Sequence, residues 1–257
     1  MDARSFADEL ARIPNVVAAA LGGSRATGTE RPDSDWDFAI YYRGSIDADD
    51  VRALGYEGVV VEPGEWGRIM NGGGWLTVDG ERVDVLYRDR DVVEHWLGEA
   101  QEGRYEVDNV AGHIAGLPTY VLAGELALGQ VLCGELPVSA FPEKLRESAP
   151  PRWLGSASFS LTLAETYAGR EYVTECAGSL ARAAVCAAHA RLAERGEWAL
   201  NEKGIVARAG FGEVDGVLAA IGRERDALAS SVAQARRILG LARAEGLRFD
   251  AVRETES

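Results

Sequence analysis

Two aspartates separated by a single tryptophan, Asp35-Trp36-Asp37, follow a Gly22-Gly23-Ser24 triplet early in the chain. On an extended strand alternate side chains share a face. Asp35 and Asp37 therefore point one way, and Trp36, Phe38 and Ile40 point the other, toward a hydrophobic layer. Neighbouring carboxylates repel unless a cation stands between them. Magnesium suits that place, because it is a hard cation that prefers carboxylate oxygen and substrate phosphate. The Gly-Gly-Ser turn offers the complementary half. Glycine lets the backbone approach closely, and exposed N–H groups with the Ser24 hydroxyl grip phosphate oxygens. Gly23 and Ser24 are thus candidate phosphate contacts. Arg25 is another, with pairing to Asp33 or Glu30 as its alternative.

A third carboxylate, Asp84, stands between Val83 and Val85 in an otherwise apolar run. A carboxylate there is costly unless it is paired or bound to metal. Beside the Asp35 strand it would complete a cluster able to hold two metals about 3.5–4 Å apart, the arrangement used for in-line attack on phosphorus. One ion lowers the pKa of the attacking hydroxyl and the other steadies the leaving pyrophosphate.

The elements that must position these residues follow from local pattern. Residues 2–12 read as a short amphipathic helix with Phe6, Leu10 and Ile13 on one side. Val16–Leu21 is an apolar strand ending in the glycine turn, and Asp35–Tyr42 is an aromatic, β-branched strand. Ile46–Leu54 suits a short helix. Trp75–Val78 and Arg82–Tyr87 flank Asp79-Gly80, a strong hairpin signal. Helices dominate from Asp91, one of them over Tyr120–Leu132. Proline punctuation at Pro137, Pro142 and Pro150-Pro151 puts a boundary there. Beyond it Ser156–Arg170, Val173–Arg195, Leu200–Ala209 and Arg223–Glu245 read as alanine-rich helices. The expected fold is α+β: a small mixed sheet with flanking helices over residues 1–140, then a helical bundle over 141–257.

Together these motifs resemble the nucleotidyltransferase superfamily that includes DNA polymerase β and the antibiotic nucleotidyltransferases. The shared signature is a Gly-Ser pair, a spacer and Asp-x-Asp, with a third Asp downstream. Here it stands as GGSRATGTERPDSDWDFAIYY and RVDVLY, a likeness at motif level over residues 14–90. The resemblance implies Mg²⁺, with two ions expected, and a nucleoside triphosphate such as ATP as co-substrate. Asp35, Asp37 and Asp84 would bind metal and carry catalysis, and Gly23 and Ser24 would bind the triphosphate. The segment Trp198–Lys203 resembles one in the helical domain of antibiotic-modifying members, where a lysine reaches the triphosphate. That assigns Lys203 to the nucleotide, an exposed helix lysine being the alternative. Lys144 and Lys203 are the only lysines in the chain.

The acceptor is less legible. Transfer to a hydroxyl of a small molecule, aminoglycoside-like and tied to antibiotic resistance, is the first expectation. Modification of a protein or tRNA, as in toxin–antitoxin members, is the alternative, and a non-enzymatic binder on a decayed fold is a third. The formal net charge of −14 suits a cationic acceptor and speaks against nucleic acid as a partner, since phosphate contacts demand a basic face. Asp84 serves as a general base if it does not hold metal tightly, and Glu125 and Glu165 are weaker candidates. His113 precedes a turn and is a candidate to touch the site, while His95 and His189 read as packing or surface residues. The odd cysteines Cys133, Cys176 and Cys186 suit buried apolar positions of a reducing compartment. No apolar run reaches a membrane span, so a cytoplasmic protein is expected.

Overall fold

The structure is a computed structural model and describes residues 1–138 and 140–242. The chain divides into two compact units, Met1–Ser148 with Gly196–Leu200, and Ala149–Arg195 with the chain from Asn201 onward.

In the first unit, helix α1 (Ala3–Leu10) leads to β1 (Val16–Leu21), α2 (Gly23–Thr27), β2 (Trp36–Tyr42), α3 (Ala48–Arg52), β3 (Glu57–Val60), α4 (Gly67–Met70), β4 (Gly73–Val78) and β5 (Glu81–Asp89). Then come α5 (Arg90–Gln101), β6 (Val107–Asp108), β7 (Leu117–Pro118), α6 (Val121–Leu128) and β8 (Gln130–Gly134). Asp2 caps α1 by accepting the Arg4 N–H at 3.1 Å, a contact worth about 1 kcal/mol. Phe6 and Leu10 of α1 are buried. The sheet order is β3-β4-β5-β2-β1-β8. β2 and β5 run parallel, and the other pairs of this sheet are antiparallel.

One face of the sheet is the core. Phe38, Ile40, Val83, Val85, Tyr87 and Leu76 pack there with Phe6 and Leu10. Burying each such side chain contributes roughly 1.5–3 kcal/mol. Asp79 and Gly80 both adopt positive φ, at 51° and 80°, as a type I′ turn between β4 and β5 requires. The α+β architecture is therefore as expected, with two strands of the six-stranded sheet, and the short β6–β7 pair, that the pattern did not show. β3 forms the outer edge beside β4. β8 replaces the last turn of the helix expected over Tyr120–Leu132: α6 stops at Leu128, Gly129 breaks it, and Gln130–Gly134 pairs with β1. The segment Gly196–Leu200 packs on α6, where a side chain at Gly124 would meet Leu200 at 2.8 Å and Trp198 at 3.1 Å.

In the second unit the helices are α7 (Glu143–Gly169, from Ala149 onward), α8 (Val173–Glu194), α9 (Ile205–Arg208), α10 (Glu213–Ala219) and α11 (Arg225–Leu239). Helix α7 runs through Pro150 and Pro151, where a break was expected. A proline inside a helix costs about 3 kcal/mol. The burial of Ala149, Trp153, Ala157 and Leu161 along one stripe offsets it. The helix expected over Leu200–Ala209 shrinks to α9, because Asn201 accepts the Lys203 N–H at 2.9 Å and Gly204 turns left-handed at φ 66°. α11 ends at Gly240, also left-handed at φ 68°, earlier than the expected Arg223–Glu245; positions 243–245 of that expectation lie outside the described residues. No described helix is long and apolar enough to cross a membrane.

Candidate active site

The face of the sheet opposite the core carries the chemistry-bearing residues, and its rows are set by register. In the parallel pair, Asp37 stands directly beside Asp84, Ala39 beside Leu86 and Tyr41 beside Arg88. Neighbouring strands lie about 4.8 Å apart, so the Asp37 and Asp84 side chains rise next to each other. Phe38 and Val85, the next pair, point into the core. Strand alternation thus converts an aspartate in an apolar run into a half-exposed carboxylate on an open face.

The Gly-Ser turn meets the same spot. The Gly22 N–H donates to the Asp37 carbonyl at 2.7 Å, which fixes the end of β1 against β2. Gly23 has φ 62°, and a Cβ there would lie 1.7 Å from Oδ2 of Asp37. Only glycine leaves room for that carboxylate, and only glycine adopts this φ without strain. Ser24 follows in the first turn of α2. The turn and the Asp37–Asp84 pair are therefore one structure, though they come from separate parts of the chain.

Asp35 sits one residue before β2 begins. Its Oδ1 lies 2.7 Å from Nε of Arg82, an ion-pair distance at which the N–H is misaligned for a hydrogen bond. That oxygen is shielded from solvent and accepts no hydrogen bond among the described residues. Arg82 also donates to the Asp33 carbonyl at 2.8 Å. Arg25 braces the same segment from the other side. It donates to the carbonyls of Asp35 (3.2 Å) and Ser34 (2.7 Å), and its guanidinium lies 4.1 Å from the centre of the Trp36 ring. Backbone carbonyls, and not the alternative partners Asp33 and Glu30, accept these bonds. Arg82 was missed in the sequence because its place opposite Asp35 depends on β2 pairing with β5.

Farther along the same face lies a closed charge cluster. Arg88, 1% exposed, makes two hydrogen bonds to the Glu125 carboxylate, at 2.6 and 2.7 Å. Burial works against its charge, and Glu125 outweighs the burial, so its pKa stands above the ordinary value. Tyr41 beside it is pushed up by burial and by the Glu125 charge. Glu125 is thus engaged in an ion pair. Glu165, in the second unit, pairs with Arg236 at 3.1 Å. His113 lies in the loop between β6 and β7, His189 is buried and stacked 4.5 Å from Trp153, and His95 is exposed beside Trp96. Lys203 belongs to the second unit, on the turn before α9.

Among the described residues no three Asp, Glu, His or Cys side chains already converge as a ready-made metal cage. The donor set nevertheless suits a hard divalent cation. Two carboxylates abut in register, and the third has a shielded, non-hydrogen-bonded oxygen. Such a cation needs one or two carboxylates and takes its remaining ligands from water and substrate phosphate.

Residues 6–57 match the family described as polymerase beta, nucleotidyltransferase. The matched stretch runs from α1 to the first residue of β3, so it holds the Gly-Ser turn, Asp35 and Asp37 and stops short of Asp84. No curated protein matches the chain. Among solved structures it is similar to a nucleotidyltransferase-like protein from Exiguobacterium sibiricum 255-15, at 11% identity over 92% of this chain and 73% of that one, with a TM-score of 0.43.

Proposed function

We propose, from the match of residues 6–57 to the polymerase beta nucleotidyltransferase family, that the chain moves a nucleoside monophosphate from a nucleoside triphosphate to a hydroxyl of a small acceptor. The observation that carries the reading is the register of Asp37 beside Asp84 with Gly23 closed against Asp37. Like charges are brought together there, beside a turn shaped for close backbone approach. A stability-driven sequence avoids that juxtaposition, whereas a cation and phosphates require it.

Asp37 and Asp84 would hold Mg²⁺, with Asp35 joining them on leaving Arg82. The ion supplies charge neutralisation on the phosphates and an acidified hydroxyl. The residues themselves do the positioning. Gly22 and Gly23 bring backbone against the triphosphate, and Ser24 offers its hydroxyl. Arg25 acts as a positioning residue, since its hydrogen bonds to the Ser34 and Asp35 carbonyls hold the segment carrying Asp35. Lys203 supplies a compact positive charge for the β- and γ-phosphates. The acceptor is hydroxylated and cationic, of the aminoglycoside kind, because a chain with a net charge of −14 attracts cations.

The direct test is release of pyrophosphate from each of the four nucleoside triphosphates with Mg²⁺, against a panel of hydroxylated antibiotics. Transfer to at least one acceptor, absent in Asp37→Asn, is the expected result. Turnover that persists in Asp37→Asn would remove the carboxylate pair from the mechanism.

A further inference from the structure

The row that contains the carboxylate pair does not end at Asp84. Asp84 pairs with Trp75 across β5 and β4, and Trp75 pairs with Val59 across β4 and β3. Directly opposed residues share a face. The open face therefore reads, in one line across four strands, Asp37, Asp84, Trp75, Val59. The last two are 51% and 57% exposed. On the other side of β4, Leu76 and Val78 already fill the core. The indole of Trp75 is thus not needed there, and it stands half in solvent beside Asp84, with Asp37 one strand further along the row.

A second indole reinforces it. Trp66 lies with its ring centre 4.6 Å from that of Trp75. Its place is cut by Gly73, two residues before Trp75 on the same face, where a Cβ would lie 3.0 Å from the Trp66 ring and 1.9 Å from the Val85 carbonyl. Gly73 and the turn before α4 thus seat an aromatic pair on an otherwise open sheet face. An exposed apolar ledge next to polar groups is the form a ligand site takes.

The order of the row decides which ligand. In-line displacement puts the attacking oxygen and the leaving pyrophosphate on opposite sides of phosphorus. With the triphosphate at the Gly23-Ser24 turn, beside Asp37, the acceptor must come from beyond Asp84. Trp75 stands there. We propose that the Trp75–Trp66 ledge, ending at Val59, is the seat of the acceptor, and that it takes a hydroxylated ring carrying a cationic group. The ring lays its carbon-bound hydrogens on the indole, and the cation is held over the aromatic face. Glu57, exposed on the same face and paired with Thr77 in the next row, adds negative charge at the rim. This rests on the transfer reading above, which sets the triphosphate at the turn.

The test uses the full chain with Mg²⁺ and a non-hydrolysable nucleotide, titrated calorimetrically with an aminoglycoside panel. Wild type is expected to bind at least one member. Trp75→Ala should weaken that binding roughly tenfold, the size of a desolvated cation–aromatic contact, while Trp75→Phe keeps most of it. Nucleotide affinity and melting temperature should stay unchanged, because Trp75 is exposed and lies on the acceptor side. Equal acceptor affinity in Trp75→Ala, a parallel loss of nucleotide affinity, or no binding by wild type to any member overturns the ledge. If the panel binds through Trp75 but no nucleotide binds or transfers, the nucleotidyl-transfer reading fails and the ledge stands.

Discussion

Strand β5 carries three charged groups on one face, Arg82, Asp84 and Arg88, and the last two are treated in opposite ways. Arg88 is buried and closed: Glu125 grips its guanidinium with two hydrogen bonds, and the Met70 and Tyr87 carbonyls take further N–H groups at 3.0 Å. Asp84 is half-exposed and stands beside another carboxylate, Asp37. A charge kept for the fold is surrounded by its complement, because an uncompensated buried ion is expensive. The Asp37–Asp84 row instead sets like beside like on a half-exposed face, the arrangement that the proposed cation and phosphates would use. Two periods of strand alternation, with Leu86 between them, separate the two arrangements.

Substitution can break each side of that contrast. The largest effect is expected from Asp37→Asn or Asp84→Asn, with transfer falling by on the order of a thousandfold or more as the charge that holds the cation is lost. Thermal unfolding should show these variants close to wild type, since both side chains are only half-buried and lie outside the apolar core. A large drop in melting temperature would mark the pair as structural instead.

Glu125→Gln probes the closed cluster. Arg88 would keep a polar neighbour but lose its counter-charge, at a cost of about 3 kcal/mol, the low end for a broken buried pair because Glu125 retains some solvent. Denaturant unfolding measures this. Should stability hold while kcat collapses, Glu125 would be a general base and the contrast between the two groups would dissolve.

Gly23→Ala tests the joint between turn and carboxylate. The added methyl displaces the Asp37 carboxylate and strains a left-handed residue. A misplacement of that kind costs roughly a hundredfold in rate, readable in kcat with stability only modestly lowered. Lys203→Ala should weaken nucleotide binding by about tenfold, in line with the loss of one charged phosphate contact; calorimetry that shows no change would return Lys203 to the surface. Arg82→Ala is the mildest. It frees Asp35, and Mg²⁺ affinity measured without nucleotide should rise by a factor of about two to five, the scale of an exposed ion pair.

What could be read along the chain was local. The amphipathic face of α1, the apolar run of β1, the alternation in β2 and the Asp-Gly turn between β4 and β5 each depend on side chains a few residues apart. Their period and turn chemistry are properties of the sequence itself. The motif residues were legible for the same reason, since Gly23, Asp35, Asp37 and Asp84 each break their local pattern. Pairing between distant segments was not written there. Nothing within Trp36–Tyr42 says that its parallel neighbour is β5, so the Asp37–Asp84 register, the Arg82–Asp35 contact and the Trp75–Val59 extension awaited the folded sheet. Proline and glycine rules also gave way where packing outweighed them. Pro150 and Pro151 lie within α7 because the buried stripe around Trp153 offsets their local cost. β8 exists because the edge of β1 offered backbone partners to a segment whose own pattern suited a helix end. Local preferences are worth tenths of a kcal/mol to a few kcal/mol, and burial over a whole face exceeds them.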